Sequence, residues 1–332
     1  HLQSHFLALR PRLFNSDAFW DYWQQMALPA SYEQSVILHE TRFTPCFAAK
    51  GYIWDTYVNT DDLCGVFVNP IMACPAELLQ KRDCPFFKRR SLFTPYADEL
   101  RRTDGRAAGE LYRHVKAHTE FPVDFLLASL LQTQPMAALA KNLHWNYVIA
   151  EPAPEVPDLA ALGLRLLRYT LPAADPVTDW YNKKASADAD ALLGRAAQLF
   201  EKKPLLGVLS PALPLWQGCA AARRTQWQRD ARTLAEKAAV PVGSDPLPAP
   251  NCGWLLVREA SFLDGIPPCT TQRDAWQLAL TAQAAGYYAA TFETAAQAAA
   301  RADVLDVYEA DAARPAAVAK QLGRLIKHKL QK

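Results

Sequence analysis

Glu40 sits where a carboxylate is costly. Val36, Glu40, Phe43 and Phe47 recur at helical spacing, so they share one face, and the face is otherwise apolar. A carboxylate pointing inward must be paired, hydrogen-bonded or protonated. Two roles fit it: a general base that takes the proton of a reacting hydroxyl, or a structural carboxylate tied to Arg42, Arg10 or a backbone amide. His39 lies about a hundred degrees round the same helix and reads as a rim residue or a hydroxyl ligand. The run Lys88-Arg89-Arg90 follows Phe86-Phe87. Ammonium and guanidinium groups pair with phosphate oxygens, so this run is either a diphosphate clamp or a solvated charge run. Trp54, Asp55 and Tyr57 combine aromatic faces with a carboxylate, as sugar sites do, although a half-buried strand explains Trp54 and Tyr57 as well. His114 and His118 stand at metal-ligand spacing on a helix, but only Glu110 is near them in sequence, so a wet helix face is expected.

Other chemistries are excluded by what the sequence lacks. It has no phosphate-binding loop, no dinucleotide-binding glycine fingerprint and no nucleophile-elbow serine. Its seven cysteines form no C-x-x-C pair, which argues against zinc and against a disulfide framework. Basic and acidic side chains number 36 and 34, a net charge of +2, so nucleic acid is not expected as a partner. No apolar run approaches the ~20 residues needed to cross a bilayer. The chain starts at His1 and passes directly into an apolar run, which reads as a protein whose beginning lies upstream.

The elements that must position these residues follow from periodicity. A strand is expected over 2–9, then a helix capped by Ser16. A second helix opens at Ser31, with Gln34 at capping-box spacing, and runs to Gly51 with a kink near Thr44 imposed by Pro45. Residues 52–58 read as extended, a short helix follows Pro75, and further helices fall near 106–119 and 123–134. Asn146–Ile149 reads as a strand. Residues 151–157, with three prolines, form the best linker. Beyond it, helices near 158–169, 187–202, 223–239 and 272–285 alternate with strands at 205–209 and 254–257, and the Ala-rich tail from 294 reads as helical. Alternation of this kind indicates an α/β fold. Segments 4–10 and 252–258 echo each other as strand, arginine and turn, a pattern that marks two related units or merely a common α/β motif. The expected core includes Phe19, Trp23, Phe43, Phe47, Leu126 and Leu130. Leu206, Val208, Trp254 and Leu256 complete it.

Taken in order, HLQSHFLALRPRLFNSDAFWDYW, HETRFTPCFAAKGYIWDTYV, CPFFKRRSLF, FPVDFLLASLLQTQP and NYVI resemble the rhamnan synthesis protein F family. LFEKKPLLGVLSP and Gly286–Tyr288 agree in order in the second half. The resemblance implies a bacterial cell-surface polysaccharide protein with a glycosyltransferase fold of the GT-A type. It implies a nucleotide-sugar donor, a glycan or lipid-linked glycan acceptor, and a cytoplasmic place at the inner membrane face. On this view residues 1–150 are the C-terminal part of a GT-A-like domain and 158–332 a second, shortened α/β unit. Glu40 with Thr44 matches the family's E-x-x-x-T, and Lys88 with Arg89 its P-F-x-K-R. Glu40 is then the base of an inverting transfer, Lys88 and Arg89 hold the donor phosphates, and His39, Thr44, Trp54 and Asp55 contact sugar. No cofactor is expected within the chain, and a divalent metal would be held through upstream residues. Where the family carries an H-D-K-x-S stretch, this sequence has Tyr181-Asn182-Lys183-Lys184-Ala185-Ser186, so the second unit is expected to bind rather than react. Residues 318–332 pair a Leu/Ile stripe with five basic side chains, which suits a membrane-surface helix or an ordinary terminal helix.

Overall fold

A computed structural model describes residues 6–63, 69–94, 106–149, 155–213, 217–243, 245–248 and 252–299. The chain forms two compact units, residues 1–70 with 77–86, and residues 71–76 with 87–332. The expected boundary at 151–157 is not where the chain divides. Strand β1, Asn146–Ile149, lies before it, yet pairs with β5, Tyr288–Thr294, far beyond it.

The first unit is helical. Ser16 caps helix Asp17–Gln24 by accepting from the Phe19 N–H, and Ser31 caps the next helix by accepting from the Gln34 N–H. That second helix runs from Tyr32–Ser35 through a π-helical turn, Val36–Glu40, into Thr41–Ala48. The expected irregularity therefore lies a turn earlier than Thr44. The Thr41 N–H reaches back to the Val36 carbonyl, and the Thr41 hydroxyl donates to the Ile37 carbonyl at 3.0 Å. Side-chain bonding back to a carbonyl favours bending of helices, and Pro45, which has no N–H to donate to the ladder, follows inside Thr41–Ala48. The helices close on an aromatic core in which Phe43 and Phe47 lie 4.9 Å apart and Tyr22 and Phe47 5.4 Å. Phe19 and Phe47 are buried, whereas Trp23, expected inside, is 41% exposed and Phe43 is half-buried. Residues 6–9 and 52–58 form no strand, so the echo between 4–10 and 252–258 has no strand behind it in the described part of the first copy.

The second unit is α/β. Its five strands run in the order β1-β5-β3-β4-β2, where β2 is Leu164–Arg168, β3 Leu206–Pro211 and β4 Trp254–Arg258. β1, β5 and β3 are parallel, and β4 runs antiparallel to both β3 and β2. Four strands thus share one direction. Every residue of β3 is buried. Successive strand residues point to opposite faces, so both faces of the sheet are covered. Helices Gln272–Ala284, Leu193–Lys202 and Pro176–Asp190 all pack against β3. Close approach is built in at Gly207 of β3, where an added Cβ would meet the Tyr287 Cβ at 2.7 Å. Leu130, Leu206, Val208, Trp254 and Leu256 are fully buried, as expected; Leu126 is half-buried.

Four segments of this unit differ from the sequence reading. Residues 158–169 hold β2 rather than a helix: Gly163 takes φ 64°, which breaks a helix, and Leu164–Arg168 then pairs along the whole of β4. The region around 187–202 is two helices, Pro176–Asp190 and Leu193–Lys202. Helix Met136–Leu143 and strand β5 were not foreseen. Residues 295–299 are helical, and the basic segment 318–332 lies outside the described residues. Among the described residues no helix is long and apolar enough to cross a membrane.

Candidate functional site

Glu40, His39 and Thr44 lie on the same helical run of the first unit, at and after its π-helical turn. Glu40 is the last residue of the π-helical turn and is half-buried. π-turns inside α-helices are rare and occur frequently at functional sites. His39 is held in place: its Nε2 donates to the Ala27 carbonyl at 2.7 Å, and its own carbonyl accepts from the Tyr22 hydroxyl at 3.4 Å. The Tyr22 hydroxyl is raised above its ordinary pKa by burial and by Cys46, against the pull of Arg42. Thr44 is buried. Trp54 is half-exposed on irregular chain in the same unit, and Asp55 accepts from the Thr56 N–H at 2.8 Å.

Lys88 and Arg89 belong to the second unit, so Glu40 and the basic run lie in different bodies. Lys88 is half-buried and precedes the short helical turn Arg89–Leu92, while Arg89 and Arg90 are exposed. The turn is anchored by fully buried Leu92 and packs on helices Ala107–His118 and Met136–Leu143. The rings of His114 and His118 stack 4.8 Å apart, and among the described residues no three His, Cys, Asp or Glu side chains gather as a metal site.

The second unit also contains a crevice of about 600 Å³ at the carboxyl end of its sheet. In open α/β sheets this is the end where ligands bind. One wall is helix Pro176–Asp190, which presents Asp179, Asn182, Lys183 and Ser186. Their spacing of three, one and three residues places them on one helix face. The Lys183 ammonium lies 2.7 Å from the Asp179 carboxylate. The other walls come from the loop after β2, with Leu171 and Pro172, and from Cys252 and Gly253 at the start of β4. Gly253 takes φ 82°, and its carbonyl accepts from the Tyr169 N–H at 2.9 Å. Asp175 caps the helix, accepting from the Val177 and Thr178 N–H groups at 3.0 Å each. These bonds, with one from the Thr178 hydroxyl, lower its pKa. Sequence reasoning singled out 181–186 only as a departure from a family pattern and missed Asp179. The signal was there: polar residues at 179, 182, 183 and 186 in a helical register.

At the opposite, amino end of the parallel strands, the hydroxyls of Tyr147 and Tyr288 lie 3.0 Å apart. Burial pushes Tyr147 up to about 12. Nearby, Asp124 accepts from Tyr112 and from Lys116, the latter at 2.6 Å. This network is closed within the unit and links two helices, Ala107–His118 and Val123–Thr133.

The family pattern of rhamnan synthesis protein F matches residues 1–156. This stretch is a rhamnan synthesis protein F match. The matched stretch includes Glu40, Lys88 and Arg89. The segments of likeness read beyond it, 199–211 and 286–288, fall outside the matched residues. No curated protein and no solved structure matches the chain.

Proposed function

We propose that this protein acts in rhamnan-type polysaccharide synthesis as a GT-A-like glycosyltransferase, moving a sugar from a nucleotide-activated donor to a growing or lipid-linked glycan. The observation that carries the proposal is the placement of Glu40, half-buried and at the end of a π-helical turn, inside the stretch that matches rhamnan synthesis protein F. In this scheme Glu40 takes the proton of the acceptor hydroxyl as that oxygen attacks the anomeric carbon, and the nucleotide diphosphate leaves. Lys88 and Arg89 carry the charge that pairs with departing phosphate oxygens. His39, Thr44, Trp54 and Asp55 contact sugar hydroxyls and faces. A divalent metal, held through residues other than these, fits the same chemistry, and the site of action is the cytoplasmic face of the membrane that carries the acceptor. The test is release of nucleotide diphosphate from nucleotide-activated rhamnose when a rhamnan acceptor is present. Release that depends on acceptor supports transfer; no release with any activated deoxysugar removes it. A second reading, a module that grips glycan without chemistry, draws on the crevice of the second unit.

A further inference from the structure

We infer that the crevice at the carboxyl end of the second unit's sheet is a binding site for a neutral sugar residue of a glycan chain, not for a nucleotide or a phosphate. It lies beyond the residues that match the family.

Its charge excludes a phosphate ligand. Among the described residues the one basic side chain on the lining, Lys183, is matched by Asp179 at 2.7 Å, so the described lining carries no net charge. The helix N-terminus beside it is no anion site either. The Val177 and Thr178 amides are already taken by the Asp175 carboxylate, which itself repels anions. What remains is a wall that both donates and accepts. Asn182 offers an amide oxygen and an NH₂ group, Ser186 a hydroxyl, Asp179 acceptor oxygens and Lys183 donor hydrogens. A sugar hydroxyl is also donor and acceptor at once, and a row of them meets such a wall without stranding a charge. Facing that wall are the apolar loop residues Leu171 and Pro172, with Pro176 beside them. Apolar surface of this kind suits the C–H face of a pyranose and the methyl group of a 6-deoxysugar. The volume, about 600 Å³, holds one to two sugar residues and stays within the usual range of ligand sites.

That the sugar belongs to a rhamnan chain rests on the function proposed above; the neutrality of the ligand rests on the crevice alone. The experiment is ligand-observed saturation-transfer NMR on the whole protein, with short rhamnan oligosaccharides, free L-rhamnose and inorganic pyrophosphate as probes. Oligosaccharide should bind, and pyrophosphate should not displace it. Asn182→Ala should weaken binding about five- to tenfold, the worth of one neutral hydrogen bond lost in a partly enclosed site. Ser186→Tyr, which fills the crevice, should abolish it, with unchanged thermal unfolding showing that each variant is folded. Competition by pyrophosphate, equal binding by both variants, or no binding of either sugar probe to the wild type would each overturn the inference. Nucleotide release is read separately. Oligosaccharide binding with no release at all would leave this site standing while the transferase proposal falls.

Discussion

Gly207 offers the sharpest test of how the sheet is packed. It lies in β3, buried on both faces, and its backbone needs no positive φ, so alanine is sterically allowed by the backbone itself. The obstacle is its neighbours. An added Cβ would sit 2.7 Å from the Tyr287 Cβ, 2.8 Å from the Ser261 Oγ and 3.3 Å from the Ala282 Cβ. Carbon atoms rest at about 3.5–4.0 Å, so Tyr287 must retreat by most of an ångström. A Cβ moves only with its backbone, and Tyr287 is held by a bond from its N–H to the Ala282 carbonyl at 2.9 Å. Overpacking of this kind costs about 1–3 kcal/mol, against a gain of about 0.4–1 kcal/mol from the stiffer unfolded chain. Gly207→Ala should therefore destabilise by about 1–2 kcal/mol, or roughly 2–8 °C in Tm for a unit of this size. Thermal unfolding followed by near-ultraviolet dichroism of the buried Trp227, Trp254 and Trp276 reads it directly. The control is Gly109→Ala in helix Ala107–His118. Its new Cβ meets nothing closer than 3.8 Å, and the helix gains a better former, so Tm should rise. A Gly207→Ala protein as stable as wild type would refute the packing described for β3.

Three further outcomes are expected. Arg258 donates to the Leu206, Phe200 and Lys203 carbonyls at 2.9, 2.7 and 3.2 Å, so Arg258→Met should cost about 2–3 kcal/mol in denaturant unfolding; a midpoint within error of wild type would show those carbonyls to be satisfied without it. Asp175 has its pKa lowered in the folded state by its bonds to Thr178 and Val177, so its contribution is present above its unfolded pKa and is lost as pH falls through the folded one; wild type should exceed Asp175→Ala in Tm at pH 7, with the gap closing in acid, and a gap independent of pH would contradict the cap. Glu40→Gln, under the proposed function, should cut acceptor-dependent nucleotide release by about a hundredfold or more, and undiminished release would take Glu40 out of the base role.

The helical first half was legible because its signals are local. Ser16 and Ser31 announce their helices through a side chain that reaches an N–H three residues on, and Asn146–Ile149 is a strand in a run that favours nothing else. Two of the misread elements have identities fixed by distant partners. Leu164–Arg168 has enough leucine and arginine for a helix, and only pairing with β4, some ninety residues away, makes it a strand. Tyr288–Thr294 carries two alanines and a glutamate, yet it is a central, buried strand because β1 and β3 flank it. Trp23 has the spacing of a core residue but stands 41% exposed, since periodicity gives the face of a helix and not what lies opposite. Non-local pairing likewise carries the sheet across the proline-rich stretch that composition alone marks as a linker.

The same distinction separates the two groups of candidate site residues. Glu40 was visible from sequence because an acid on an apolar stripe is anomalous in itself, and the π-turn beneath it adds a structural anomaly at the same residue. The crevice residues are anomalous in no such way: an Asp-Lys pair four apart on a helix is the commonest of surface motifs, and its ion pair contributes little stability. Only the sheet gives that pair meaning, by setting the loop after β2 and the Cys252–Gly253 start of β4 against it. With Asp179 supplying one carboxylate against Lys183, and Asn182 and Ser186 neutral, the wall has hydrogen-bonding capacity without net charge. A wall of that kind suits hydroxyls and has no charge with which to attract a diphosphate, which is why we propose grip on the polymer, rather than on the donor, for the second unit.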